Sequence, residues 1–242
     1  MNAHTPAPLI PKVVLGVAAH PDDLDYYAGG AMAAFARAGA KVYYLVLTDG
    51  GKGSSDRAMT SERLRDMRRE EQRRAAKLLG LADVFFCDFP DGSLENSVDV
   101  KREIIKTIRQ VKPDVVVAFD PSVLYFAPEG LINHPDHRAA GQAALDAVYP
   151  LARDHMSFPE LLEQGFGPHN TATLLLIGFD AGQANFAVDI SDTIDLKFAA
   201  LGEHASQVSV QQLKEGMAQQ AAKAGAKYGY RYAEPFTRID IG

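Results

Sequence analysis

Short apolar runs alternate with helix-length stretches through the first 150 residues, and that alternation limits the folds open to the chain. Val13–Ala19 (VVLGVAA) is continuous and apolar, as a strand buried on both faces of a parallel sheet must be. Lys41–Thr48 and Val84–Phe89 read as the second and third strands, and Val115–Phe119 as a fourth that is again fully apolar. Between them the pattern predicts a small-residue helix from about Gly29 to Ala38. A long helix follows from about Glu62 to Leu79, with Thr60 or Ser61 to cap it and Gly80 to end it. An amphipathic helix over Val98–Val111 stops ahead of Pro113, and another is expected to run on to about Val148. Thr173–Phe179 and Phe186–Ile190 are expected as later strands, and about Thr193 to Ala224 as helix. The βα alternation predicts an α/β fold: a doubly wound, mostly parallel, Rossmann-like sheet with helices on both faces. No linker divides the 242 residues, so one domain is expected. Residues 1–12 are expected to be flexible, and about 200–242 to be a C-terminal appendage or interface segment.

Charge and composition narrow the function classes. The formal net charge is −6, so attraction to nucleic acid or an anionic membrane is not expected. The one arginine-rich stretch, Arg63 to Arg74, is interleaved with Glu62, Asp66, Glu70 and Glu71 and reads as a solvated helix face with i,i+4 ion pairs. No stretch reaches the ~18 consecutive apolar residues of a membrane span. Met1 to Lys12 holds three prolines and no apolar core of a signal peptide. Cys87 is the only cysteine, which rules out an intrachain disulfide. A cytoplasmic location is expected.

Two His/Asp clusters sit where an α/β sheet places its ligands, beyond the carboxyl ends of strands. HPDD (His20 to Asp23) follows the first strand, and HPDH (His134 to His137) lies on the loop after the fourth. His20 and Asp23, three apart, can converge on one ion, and His137 could complete a face. Two histidines, a carboxylate and an open position are what catalytic zinc uses, because water must occupy the vacancy. The same ligands accept cobalt, nickel or iron, so Zn2+ is a preference among divalent metals. Taken singly, a histidine on such a loop is more often structural or solvated, and an Asp-Asp pair more often a cap. The two clusters together shift that balance.

These segments carry a resemblance. AHPDD, Gly29-Gly30, LTDG after the second strand, RREE at Arg68–Glu71, FPDG at Phe89–Gly92, KPDVV and HPDHR occur in the order found in the LmbE-like, or PIG-L, zinc N-deacetylases. The likeness runs from about Val13 to Val148. It implies zinc on His20, Asp23 and His137, with Asp22 as the general base toward water. It implies that His134 stabilises the oxyanion and protonates the leaving amine, and that Asp136 orients or charges that histidine. Arg68 corresponds to an arginine that holds sugar hydroxyls in several members, although a helix-surface arginine paired with Glu71 or Gln72 explains it equally well. Asp91 could line the same pocket, but turn chemistry alone accounts for an Asp-Gly. Two positions depart from the pattern. Leu24 and Asp25 follow HPDD where many members have Glu directly, and Ile132 stands where some have Tyr, leaving Tyr125 to substitute by loop folding. His155, His169 and His204 match no ligand position and read as surface or structural residues, with His204 a weak pocket or interface candidate.

The resemblance implies a hydrolase that removes an N-acyl group, N-acetyl above all, from an amino sugar or related conjugate, in a homo-oligomer such as a trimer or hexamer. Rival readings are an amidase or deacylase acting on a thiol conjugate or natural product, a nucleotide-binding module, and a non-catalytic metal-binding module. Against the nucleotide reading, HPDD replaces G-x-G-x-x-G after the first strand and DGGKGS lacks Walker spacing. The intact Asp22 and His134 argue against a catalytically dead metal holder.

Overall fold

The computed structural model describes residues 9–178 and 183–242. Most of the segment expected to be flexible, and Phe179 of the expected strand Thr173–Phe179, lie outside those residues. The first half runs β1 (Val13–Ala18), α1 (Asp23–Arg37), β2 (Lys41–Thr48), α2 (Ser61–Leu79), β3 (Asp83–Phe89), α3 (Val98–Val111) and β4 (Val115–Phe119). A small hairpin of β5 (Tyr125–Phe126) and β6 (Leu131–Ile132) then leads into α4 (Pro135–Asp146). The remainder is α5 (Pro159–Glu163), β7 (Thr173–Ile177), β8 (Phe186–Asp189), α6 (Ile194–Glu203), α7 (Val210–Tyr228) and β9 (Ala233–Asp240).

The main sheet has the order β3-β2-β1-β4-β7-β9-β8. The first five strands are parallel, with Val13 beside Lys41 and Val14 beside both Val42 and Val115. Period-2 alternation in β1 sends Val14 and Ala18 into one core with α1, α2, α6 and α7. Leu15, Val17 and Ala19 enter a second core with α3 and α4. Burial on both faces explains why β1 carries no polar side chain. Strand order reverses between β1 and β4, which opens a crevice at their carboxyl ends. Both His/Asp clusters reach that crevice. Gly141 brings α4 down onto β4, for a Cβ there would lie 2.3 Å from the Phe119 carbonyl oxygen.

Two expectations are corrected. The first helix begins at Asp23 rather than about Gly29, because the chain turns at Asp22 and Leu24 and Ala28 are already packed in the core. The helix expected over Thr193 to Ala224 is two, α6 and α7, separated at His204. The region from about residue 200, expected as an appendage or interface segment, contributes β9 to the interior of the sheet, antiparallel to both β7 and β8. Its Glu234 carboxylate accepts from the Gly30 and Ala31 amides of α1 and pairs with buried Lys197.

Candidate active site

At the HPDD segment the chain leaves β1 and turns sharply. Asp22 has φ 89 and ψ −27, the left-handed region that a non-glycine residue adopts at a cost of about 1–3 kcal/mol. That turn aims the Asp22 and Asp23 carboxylates in different directions. Asp23 opens α1, and its Oδ2 accepts the His20 backbone N–H at 2.8 Å. Asp22 Oδ1 meets the Arg68 guanidinium at 3.3 Å.

HPDH takes an ordinary helix start. His134 is the N-cap of α4, Pro135 follows in the first turn, and the Asp136 N–H donates to His134 Nδ1 at 3.2 Å. A ring nitrogen that accepts leaves the proton on Nε2, so His134 offers Nε2–H outward. One turn on, the His137 ring stacks on Phe119 with centroids 4.1 Å apart.

The two segments converge. Asp23 spans two imidazoles, with Oδ2 at 3.5 Å from His20 Nδ1 and Oδ1 at 3.1 Å from His137 Nε2. On its far side, His20 Nε2 lies 3.1 Å from Asp136 Oδ2 and 3.2 Å from Asp91 Oδ1. Ligand atoms of His20, His134 and His137 all fall within 4.8 Å of one another, as do those of His20, Asp91 and Asp136. The centre thus has a His/Asp group that could hold a metal ion.

The field in this cage favours a cation. Burial alone would lower the His20 pKa, but Asp23, Asp136 and Asp91 carry it up to about 12. Burial opposes ionisation of Asp23 as well, yet the His137 and His20 imidazoles hold its carboxyl below the usual range. Asp91 is likewise drawn down to about 2, against its burial, by His20, the Lys52 amide and Arg68. Asp22 goes the other way: burial pushes its carboxyl up to about 6 against the pull of Arg68. Burial and the neighbouring His20 lower the His134 pKa. One carboxylate near neutrality beside others held ionised is the separation that acid–base chemistry needs.

Each expected site residue lies in or around this centre, but several contacts differ from expectation. The fully buried Asp136 carboxylate accepts the Gly92 and Leu94 amides and faces His20, so it touches His134 only through its own backbone N–H. Asp91 supports His20 and accepts the Lys52 amide at 3.0 Å. Arg68 is only 4% exposed, and donates to the carbonyls of Pro21, Gly50 and Lys52. The arginine-rich helix was expected to be a solvated face, yet Arg68, Glu71 and Gln72 are buried on it. Tyr125 pairs directly opposite Ile132 in the hairpin, and both are exposed.

Sequence reasoning missed Gln72 and the partnership of Asp25 with His204. Asp25 and His204 are fully buried, with His204 Nε2 at 2.7 Å from Asp25 Oδ2. Gln72 donates to that same oxygen at 2.8 Å. The available signal was the acidic residue two places past HPDD, which needs a partner once α1 begins at Asp23.

The model of the PIG-L family, described as GlcNAc-PI de-N-acetylase, matches residues 15–148. Diacetylchitobiose deacetylase of Thermococcus kodakarensis is 35% identical over 227 residues, covering 92% of this chain and 81% of the relative. The crystal structure of N,N'-diacetylchitobiose deacetylase from Pyrococcus horikoshii, in complex with an inhibitor, superposes with a TM-score of 0.86 at 30% identity, covering 95% of this chain and 84% of that one. A 4-oxalmesaconate hydratase of Pseudomonas putida is 34% identical over 122 residues, 48% of this chain and 45% of the relative.

Proposed function

Because the chain belongs to the PIG-L family of GlcNAc-PI de-N-acetylases, we propose that it is a metal-dependent hydrolase that removes the N-acetyl group from an amino sugar or a conjugate of one. The observation that carries this reading is that Asp23 lies against both the His20 and the His137 imidazole, with the Asp22 carboxyl next to it in the chain. Two imidazoles and a carboxylate are a donor chemistry that fits zinc: His20, Asp23 and His137 would hold it, with Asp23 lying against both rings. Asp136 and Asp91 keep the far nitrogen of His20 occupied, as the outer partners of a metal-bound histidine do. In this reading Asp136, whose carboxylate also accepts two amides, and His134, whose Nδ1 accepts a third, support the site rather than hold the ion. When bound, the ion would acidify a water molecule and polarise the acyl carbonyl.

The protein's own groups divide the rest of the work. Asp22 takes the proton from the attacking water and returns it to the departing amine, a shuttle suited to a carboxyl raised to about 6. It does so in place of His134, whose own pKa is lowered by burial and His20. His134 donates Nε2–H to the developing oxyanion. Arg68 holds Asp22, the Pro21 carbonyl beside it, and the glycine-rich loop at Gly50 and Lys52.

The proposal takes a small N-acylated substrate in the cytoplasm; among the described residues no helix is long and apolar enough to cross a membrane. Exposed Leu124, Tyr125 and Ile132 offer apolar surface for a homo-oligomer, a trimer or hexamer that sedimentation would reveal. The deciding assay incubates zinc-loaded protein with N-acetylglucosamine and N,N'-diacetylchitobiose and measures acetate and free amine. Equal amounts of both, lost on chelation, are expected. Release of neither, with hydration of an unsaturated dicarboxylic acid instead, would overturn the reading.

A further inference from the structure

The strained backbone of Asp22 is held from behind by groups that do not approach the substrate. Its N–H donates to Gln72 Oε1 at 3.0 Å. The other end of that amide donates to Asp25 Oδ2 at 2.8 Å, and His204 Nε2 meets the same oxygen at 2.7 Å. Gln72 is 1% exposed and Asp25 and His204 are not exposed at all, so water does not compete for these bonds. An amide has one acceptor end and one donor end. Tied at the donor end to Asp25, Gln72 can present only its oxygen to residue 22, and a single orientation of the Asp22 N–H satisfies it. Glu71 secures the far side of the same chain by accepting the backbone and hydroxyl of Ser206, next to the loop that carries His204.

We infer that Gln72, with the Asp25–His204 pair behind it, is a positioning residue that keeps Asp22 in its left-handed conformation and so aims the Asp22 carboxylate into the crevice. The inference rests on the reading of Asp22 as the base. Without the bond, residue 22 can relax to negative φ and swing its carboxylate away, and a misplacement of about 1 Å costs ~10²-fold in rate.

The test uses the zinc-loaded full chain, with N,N'-diacetylchitobiose as the probe and four proteins: the parent, Gln72→Met, Asp22→Asn and the double variant. Gln72→Met is expected to lower kcat about 10- to 100-fold while KM and zinc stoichiometry stay near the parent's. In the Asp22→Asn background the same change should alter kcat less than about threefold, because there is no base left to aim. An equal loss in both backgrounds would show that Gln72 acts elsewhere and would overturn the inference alone. Full turnover in Asp22→Asn would overturn the base reading and the inference with it. A crystal structure of Gln72→Met supplies a readout independent of any substrate: residue 22 should move to negative φ, and retention of φ near 89 would reject the inference. If Gln72→Met does not fold, His204 decides. His204→Leu should reduce kcat, and His204→Gln, which keeps an N–H for Asp25, should recover most of it. Equal activities in those two would reject the chain of contacts.

Discussion

HPDD and HPDH share their first three residues yet put the histidine and the aspartate to different uses. In the first, His20 is the buried imidazole at the centre and Asp22 the partly exposed carboxyl. In the second, His134 is the exposed imidazole and Asp136 the buried anchor. Backbone conformation makes the difference. Asp22 lies in the left-handed region before α1, whereas Asp136 is already inside α4. One places its carboxylate against Arg68 near the crevice, and the other buries its carboxylate against Gly92, Leu94 and His20. A motif is therefore a list of side chains, and the turn that carries it assigns their work.

That contrast can be broken most sharply at the two aspartates. Asp22→Asn should keep zinc and fold while kcat falls ~10²–10⁴-fold, the usual worth of a general base. Acetate release near the parent's rate would make the two segments equivalent supports. His134→Ala should come next, with kcat reduced about 10²–10³-fold and KM little changed, since one oxyanion donor is lost. Steady-state kinetics on the metal-loaded variant would show it.

Asp136→Asn should act on the metal rather than on the chemistry. It leaves an acceptor for one amide but removes the charge facing His20, so zinc affinity should weaken about 10–100-fold, measured by competition with a chelator. A large kcat loss at saturating zinc would instead put Asp136 in the same class as Asp22. The smallest effect is expected at Gly141→Ala. Its new methyl group meets a backbone oxygen that cannot rotate away, which should cost ~1–3 kcal/mol and lower the Tm by several degrees. Gly29→Ala makes the control, because its nearest contact is Lys197 Cγ at 3.4 Å, an ordinary van der Waals distance.

Much of the parallel half of the sheet is legible in the sequence. Val13–Ala18, Lys41–Thr48 and Val115–Phe119 are strands within a residue of their expected bounds. Both ends of α2 lie where the sequence puts them, with Thr60, one of the two expected candidates, as the N-cap and Gly80 as the C-cap. The antiparallel β9 was missed because AEPFTRID mixes charged and apolar residues and holds a proline, and because its partners lie far away in sequence. The buried face of α2 was misread for a related reason. Arg68, Glu71 and Gln72 have the spacing of a solvated stripe, and periodicity cannot tell water from buried hydrogen-bond partners.

By itself, the sequence determined the strand alternation, the family and the residues gathered at the centre. Each of these is written in short apolar runs or in motifs of four residues whose spacing is local. Only the tertiary structure decided what those residues touch. The partners of Asp25 lie 47 and 179 residues along the chain, and His20 meets Asp136 across 116. A hydrogen bond of about 3 Å depends on where whole strands and helices stop, and that is set by packing of the entire core rather than by any neighbour in sequence.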